Sequence, residues 1–439
     1  MSKKKDSLKP WLSRPAVNRS VTLPLTRPLT QRLSNLNEFH PNELDPYLLF
    51  DARDSMVGTL ENPTLDLDPS KPDTLNVITA TRSGTATYTD ANGNIATAAA
   101  DTVRVDHVDG VPMILVEPSA INLVEYSEDF SDSSWDKQSG GTGVDPVVTP
   151  NSAISPDGTQ NASKVVFNTA GGTTTSDESF LTARLPTVIG GTYTQSVYLK
   201  GDVGGEQILI RGAGGSAYTT ITLTTDWVRY EGTEVEPNNT DAYLQIGLRQ
   251  GLSGVVINQS TTVYIWGAQF EEGSVATSYI PTSGGDAAAR TRQADDLVIS
   301  GSDFSDFFNG SEGTFYIEAV DRQATGSSHA YLAGQSTSQF FIYKNAGSTQ
   351  IYNLDGTNIL DLGQVVSNQL FRAAVTYKTG VSPAPSVISL SFNGTSEVDQ
   401  PYSESFAATN ILKIGSGYAK VFSGHFRRIL FWPYHSDRL

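Results

Sequence analysis

Between residues 116 and 282 the chain runs through one strand-like segment after another, and no window shows an apolar repeat at helical spacing. The runs "SKVVFNT", "TYTQSVYLKG", "EQILIRG", "AYTTITLTT", "DWVRYEGTEV", "AYLQIGLRQ" and "TTVYIWGAQF" are separated by Gly-, Asn- and Asp-rich turns. A spacing of about 8–12 residues leaves no room for crossover helices, so the strands pair antiparallel and close as a sandwich. The same pattern returns after residue 303, at "GTFYIEAVD", "QFFIYKN", "LFRAAVTYK", "SVISLSFNG" and "GHFRRILFWP". The fold class that follows is all-β: an extended N-terminal arm, then two antiparallel, jelly-roll-like β-sandwiches in series. The divisions expected are an arm over 1–60, a connecting β-hairpin segment over 61–115, a sandwich over 116–282, a linker over 283–302 and a second sandwich over 303–439.

Composition supports strands and narrows the chemistry. With 39 Gly, 21 Pro and 18 Tyr in 439 residues, turns are frequent and long helices are not. The absence of Cys excludes disulfides, thiolate metal sites and cysteine nucleophiles. Lysines crowd the start where a signal peptide would need an apolar core, and no 18-residue apolar run exists. The chain is therefore expected to be made in a cytoplasm and to stay soluble, with no membrane partner.

Charge is uneven. Residues 1–32 hold eight Lys or Arg against the single Asp6, a local +7, so the remainder carries −24 of the net −17. A basic arm on an acidic body implies two different partners, and the body should repel nucleic acid. The arm has Pro10, Pro15, Pro24 and Pro28 and only scattered apolar residues. It buries too little to order itself and needs another chain's surface.

The stretch "VYIWGAQFEEGSVATSYIPTSGG", Val263 to Gly285, reads as a closing strand and its exit. Strand alternation puts Tyr264 and Trp266 on one face, and Ile265 and Gly267 on the other. Glu271, Glu272 and Gly273 are expected to break the run, and the exposed-looking Tyr-Ile-Pro that follows is expected to pack back on the strand and aim the linker at the second sandwich. In "ATYTDANGNIATAAADTVRVDH" the Asn92-Gly93 pair marks a hairpin turn. Asp90, Asn92 and Asn94 match half of a calcium loop, but its later ligands are missing, and the plain hairpin is favoured.

Catalytic signatures are weak. No carboxylate pair stands out by spacing, and there is no repeat at β-helix period. His40, His107, His329, His425 and His435 form no metal-ligand pattern. "GAGGSA" at 212–217 precedes a strand, where a dinucleotide site requires a helix. Non-enzymatic action is expected, with no cofactor. Asp295, Asp296, Asp303 and Asp306 could supply oxygens to a structural calcium, though an acidic solvated face accounts for them and is favoured.

Sugar binding needs aromatic platforms flanked by polar groups. Candidates are Trp135, Trp227, Tyr243 and Trp266 in the first sandwich, and Tyr331, Phe341, Tyr343, Tyr352 and Tyr418 in the second. Trp227, Trp266 and Trp432 sit in strand cores and point to packing. Trp135, in a Ser/Asp-rich stretch, together with Tyr243, Tyr343 and Tyr418, is the glycan-site expectation.

Several stretches together carry a resemblance: "INLVEYSEDFSDSSWDK", "SPDGTQNASKVV", "YTQSVYLKG", "YIWGAQFEEGSVATSYIPT" and "ARTRQADDL". They look like a family of bacteriophage virion proteins, tail fibres or head spikes with carbohydrate-binding-module-like sandwiches. Residues 303–439 resemble the concanavalin- or laminin-G-like jelly roll that often follows. The resemblance covers roughly residues 60–439. It implies a virion structural or adsorption role, commonly as a homotrimer, with host surface glycans as ligands. It names neither catalytic residues nor a particular sugar. The arm then becomes the anchor to other virion proteins (capsid, portal or tail adaptor), through Trp11, Arg14, Arg19, Leu23, Leu25 and Arg27. A polysaccharide-degrading tailspike and a capsid decoration protein without ligand are the alternatives.

Overall fold

The aliphatic alternation of residues 135–272 folds as two five-stranded antiparallel sheets face to face. One runs Val228–Val235, Thr192–Gly201, Ser260–Glu272, Ala162–Asn168, Val144–Ala153 across the sheet. The other runs Thr219–Thr222, Gln207–Arg211, Asp241–Arg249, Glu178–Pro186, Trp135–Gly140. Val165, Phe167, Leu181, Leu199, Leu244, Ile246 and Ile265 meet between them with essentially no solvent exposure. The computed structural model describes residues 62–436, apart from 188, 213–217, 237–240, 253–256, 286, 288, 324–328, 335–339, 346–347, 353–357, 382–383, 403–408 and 417–420. The proposed anchor residues Trp11, Arg14, Arg19, Leu23, Leu25 and Arg27 lie outside that range, as does Tyr418.

The second sandwich has an eight-stranded and a seven-stranded sheet. In the first, Gly424–Trp432 is central. It pairs with Glu312–Asp321 on one side and with Val111–Val116 and Leu65–Leu67 on the other. In the second, Asp296–Ser300 lies between Thr79–Thr81 and Ile411–Ile414. Strands before residue 117 therefore help build the C-terminal sandwich, and the middle sandwich is inserted between Val116 and Asp296. The stretch 61–115 contributes strands to both sheets, which differs from a free-standing connector. Partners more than 300 residues apart leave no local trace in sequence.

The hairpin is Ala86–Thr89 with Ile95–Ala98, and Thr89 pairs with Ile95 around the turn. Asp90 Oδ1 accepts the Asn92 and Asn94 N–H groups at 2.8 and 2.9 Å, so this carboxylate serves the turn. Ile95 packs beside Trp266, Tyr279 and Tyr198 on the outer face of the middle sandwich.

The strand Ser260–Glu272 departs from simple alternation at Gly267, where φ is +63°. The pairing with Thr192–Gly201 skips a step there, so Ile265, Ala268 and Phe270 all reach the core while Trp266 and Gln269 face the other way. Glu271 is part of the strand and fully buried, not a turn residue. Tyr279 and Ile280 are buried, and the tail packs back on the strand as expected: Tyr279 lies 4.5 Å from Trp266, centroid to centroid.

The tail is held by buried acids. Glu271 Oε1 accepts the Thr277 N–H at 2.8 Å, and Gln269 Oε1 the Ile280 N–H at 2.7 Å. Glu117 binds Ser278 and sits among Arg104, Arg292 and Arg322 at 2.9, 3.7 and 4.0 Å. Asp295 takes Arg82 at 2.8 Å and also Arg104. Burial, the largest effect, pushes the Glu117 carboxyl up, but Arg292, Arg104 and Arg322 outweigh it and hold it well below the usual carboxylate range. Asp295, 2 % exposed, thus serves arginines and is not part of a solvated acidic face. Asp303 and Asp306 are exposed, and among the described residues no group of three or more His, Cys, Asp or Glu is arranged to hold a metal ion.

Candidate functional site

The outer face of the sheet that contains Asp241–Arg249 gathers the polar half of its strands' alternation. Residues directly opposite each other in an antiparallel pair share a face. Asp136 pairs with Thr182, Thr182 with Gln245 and Gln245 with Arg211, which makes one row across four strands. Arg184 and Tyr243 form the next row, and Glu178 and Arg249 lie at the far end. Between the ends, Gly247 leaves space for its partner Phe180: a Cβ there would come within 2.6 Å of the Phe180 ring. Tyr218 then stacks on Phe180, with centroids 5.6 Å apart and planes 15° apart.

Two tyrosines and three guanidinium groups interleave on this face. Arg184 lies 5.1 Å from the Tyr243 ring centroid, and Arg211 lies 5.3 Å from Tyr218 and 5.9 Å from Tyr243. Arg249 is 5.8 Å from Tyr218 and donates to its hydroxyl at 3.0 Å. Stacked guanidinium groups hold both partners in place without burying either. Asp136 lies 3.3 Å from Arg184 and Glu178 lies 3.5 Å from Arg249. Beneath them Gln245 donates to the Thr182 hydroxyl at 3.2 Å, which donates to Gln138 Oε1 at 3.0 Å. Gln245 Oε1, on a side chain nine-tenths buried, has no hydrogen-bond partner among the described residues. A partly exposed aromatic pair with fixed donors beside it can take the apolar face of a sugar ring and its hydroxyls.

Of the four expected glycan residues, Tyr243 is on this face and partly exposed. Trp135 is corrected: its register opposite Ala183 turns it into the core at 1 % exposure. Its Nε1 donates to the Tyr126 carbonyl at 2.9 Å, and a ring that solvent cannot reach offers no platform. Tyr343 is also buried, packed with Ala330 and Ala333. Tyr331 and Phe341 are core residues, Trp266 is buried, and Trp227 is tied to the Ile154 carbonyl at 2.9 Å. Sequence reading missed Tyr218, Arg184, Arg211 and Arg249. The signal was present in "AYLQIGLRQ", where Tyr243, Gln245, Gly247 and Arg249 occupy alternate positions.

No protein-family model matches this sequence, and no curated protein matches it. Among solved structures, similarity extends to domain 4 of AbnA, a GH43 extracellular arabinanase from Geobacillus stearothermophilus, in complex with arabinotriose (8 % identity, 32 % of this chain, 68 % of that one, TM-score 0.27). A CBM22-1–CBM22-2 tandem from Paenibacillus barcinonensis Xyn10C is similar at 11 % identity over 72 % of this chain and 99 % of that one, with TM-score 0.25. The tripod from the baseplate of bacteriophage Tuc2009 is similar at 14 % identity over 78 % of this chain and 99 % of that one, with TM-score 0.22. Likeness at these TM-scores fixes neither family nor activity. Among the described residues no helix is long and apolar enough to cross a membrane.

Proposed function

We propose that this chain is a virion fibre or spike protein that adsorbs glycan on a host surface without cleaving it. The observation that carries the reading is the Tyr218–Tyr243 face, with Arg184, Arg211 and Arg249 stacked on it and Gln245 beneath. Residues 1–60 anchor the chain to another virion protein, in line with their charge and proline content. Clustering as a homotrimer would multiply weak contacts into avidity.

Adsorption is tested on a glycan array with the intact protein and Tyr218→Ala and Tyr243→Ala variants. Sugar signals that both variants lose support the reading; a blank array supports a decoration protein, and release of reducing ends supports a tailspike. The anchor is tested by deleting residues 1–35. The truncated chain should fold and stay off purified particles; its presence there at normal copy number would contradict the anchor.

A further inference from the structure

We infer that the glycan this face takes is anionic, carrying a carboxylate or phosphate beside a sugar ring; the inference rests on the adsorption reading above. Residues 116–285 contain four arginines, Arg184, Arg211, Arg229 and Arg249, and three of them stand on this one face. They do so on a body that carries −24 outside its first 32 residues. Such a concentration runs against the overall field of the protein, so long-range attraction of neutral or basic partners does not account for it.

The charges are not balanced locally. Asp136 faces Arg184 and Glu178 faces Arg249, but no carboxylate pairs with Arg211 among the described residues. No acceptor among them takes a hydrogen bond from the Arg211 side chain either, and its Nε is buried without one. Its guanidinium is held instead between the rings of Tyr218 and Tyr243. A planar fork fixed in this way presents parallel N–H donors that match two oxygens of a carboxylate or phosphate. The flanking tyrosine rings supply the apolar surface for the sugar that bears the anion, and the pairing of Arg211 with Gln245 puts an amide in the same row. Arg184 and Arg249, each already shared with a carboxylate, set the two ends of the site. One residue, Arg211, therefore decides between acidic and neutral sugars.

The test is calorimetric titration of the full chain with three polymers of matched length: a polyuronate, a poly(glycerol phosphate) and a neutral glucan. Each is repeated at low and high salt with wild type, Arg211→Gln, Arg211→Lys and Tyr243→Ala. We expect one of the acidic polymers to bind, with affinity falling as salt rises. Arg211→Gln should weaken it about tenfold or more, in line with loss of a charge-assisted pair, with an unchanged unfolding transition. Arg211→Lys should restore part of it, and Tyr243→Ala should lose it. The polyuronate and the poly(glycerol phosphate) distinguish carboxylate from phosphate as the source of the charge. Equal binding of the neutral glucan, insensitive to salt and to Arg211→Gln, would overturn the anionic assignment and leave adsorption standing. Wild-type binding to none of the three would overturn both.

Discussion

Glu117 takes both polar groups of Ser278: its Oε1 accepts the Ser278 N–H and its Oε2 the hydroxyl, each at 2.7 Å. Glu117 follows the strand Val111–Val116 of the C-terminal sandwich, and Ser278 lies in the tail that leaves the middle one. The tail ahead of the 283–302 linker is thus fastened to the other sandwich by a buried charge. Glu117→Gln would leave Arg104 with Asp295 alone and take from Arg292 the carboxylate it pairs with. Removing one partner from a buried ion network costs about 3–5 kcal/mol. Urea unfolding should show that loss, and a change below about 1 kcal/mol would mean that the network contributes little.

Acid should destabilise the C-terminal sandwich through Asp321. Lys344 Nζ and the Tyr331 hydroxyl donate to its Oδ2 at 2.9 and 3.0 Å, and His329 Nε2 lies 3.2 Å away. Burial, the largest effect, pushes the Asp321 carboxyl up, but the hydrogen bond and charge of His329 and the charge of Lys344 outweigh it and set it at about 2, below its ordinary 3.8. Lys344 is displaced downward as well, because burial outweighs the one carboxylate that three donors share. For a depressed carboxylate the stabilisation is present above the unfolded value and lost as pH falls through the folded one. That window runs from about pH 3.8 to about 2 and is worth on the order of 2 kcal/mol. Lys344→Met removes one of the cations, so its acid-unfolding midpoint, followed by near-UV circular dichroism, should lie at higher pH. An unmoved midpoint would contradict this account.

Trp135 and Tyr243 should separate stability from binding. Trp135→Ala empties a core position and is expected to cost about 3–5 kcal/mol in chemical unfolding. Tyr243→Ala, on an outer face, should cost below about 1 kcal/mol. Equal costs would mean that Tyr243 is a packing residue.

Gly267→Ala tests the bulge. A non-glycine residue at φ +63° costs roughly 1–2 kcal/mol, and the new Cβ would also lie 3.1 Å from the Tyr198 ring. A thermal shift of the expected sign, with the fluorescence of the adjacent Trp266 altered, supports the bulge as the device that brings Ala268 and Phe270 to the same core face as Ile265. No shift would argue against it.

Strand content and the hairpin were legible because both depend on near neighbours: alternation fixes a strand's two faces, and Asn92-Gly93 fixes its turn. The outward placement of Tyr243 was legible for the same reason. Trp135 was not, because its Ser/Asp-rich flank reads as a loop, while the register against Ala183 puts it inside. The insertion of one sandwich into the other was hidden too, since Leu65–Leu67 finds its partner only at Ile429–Phe431. Glu271 looked like a turn because an isolated acid is rarely buried; Gln269 on its own strand and Thr277, brought back by the tail, donate to it and make that burial tolerable.

The most direct measurement is the affinity of the intact protein for purified host-surface polysaccharide, compared between wild type and Tyr243→Ala, with unfolding measured on the same samples. The account expects wild-type binding, a loss of about tenfold or more in the variant, consistent with removal of a stacking platform, and matching unfolding transitions. Undiminished binding by a fully folded Tyr243→Ala protein would contradict it.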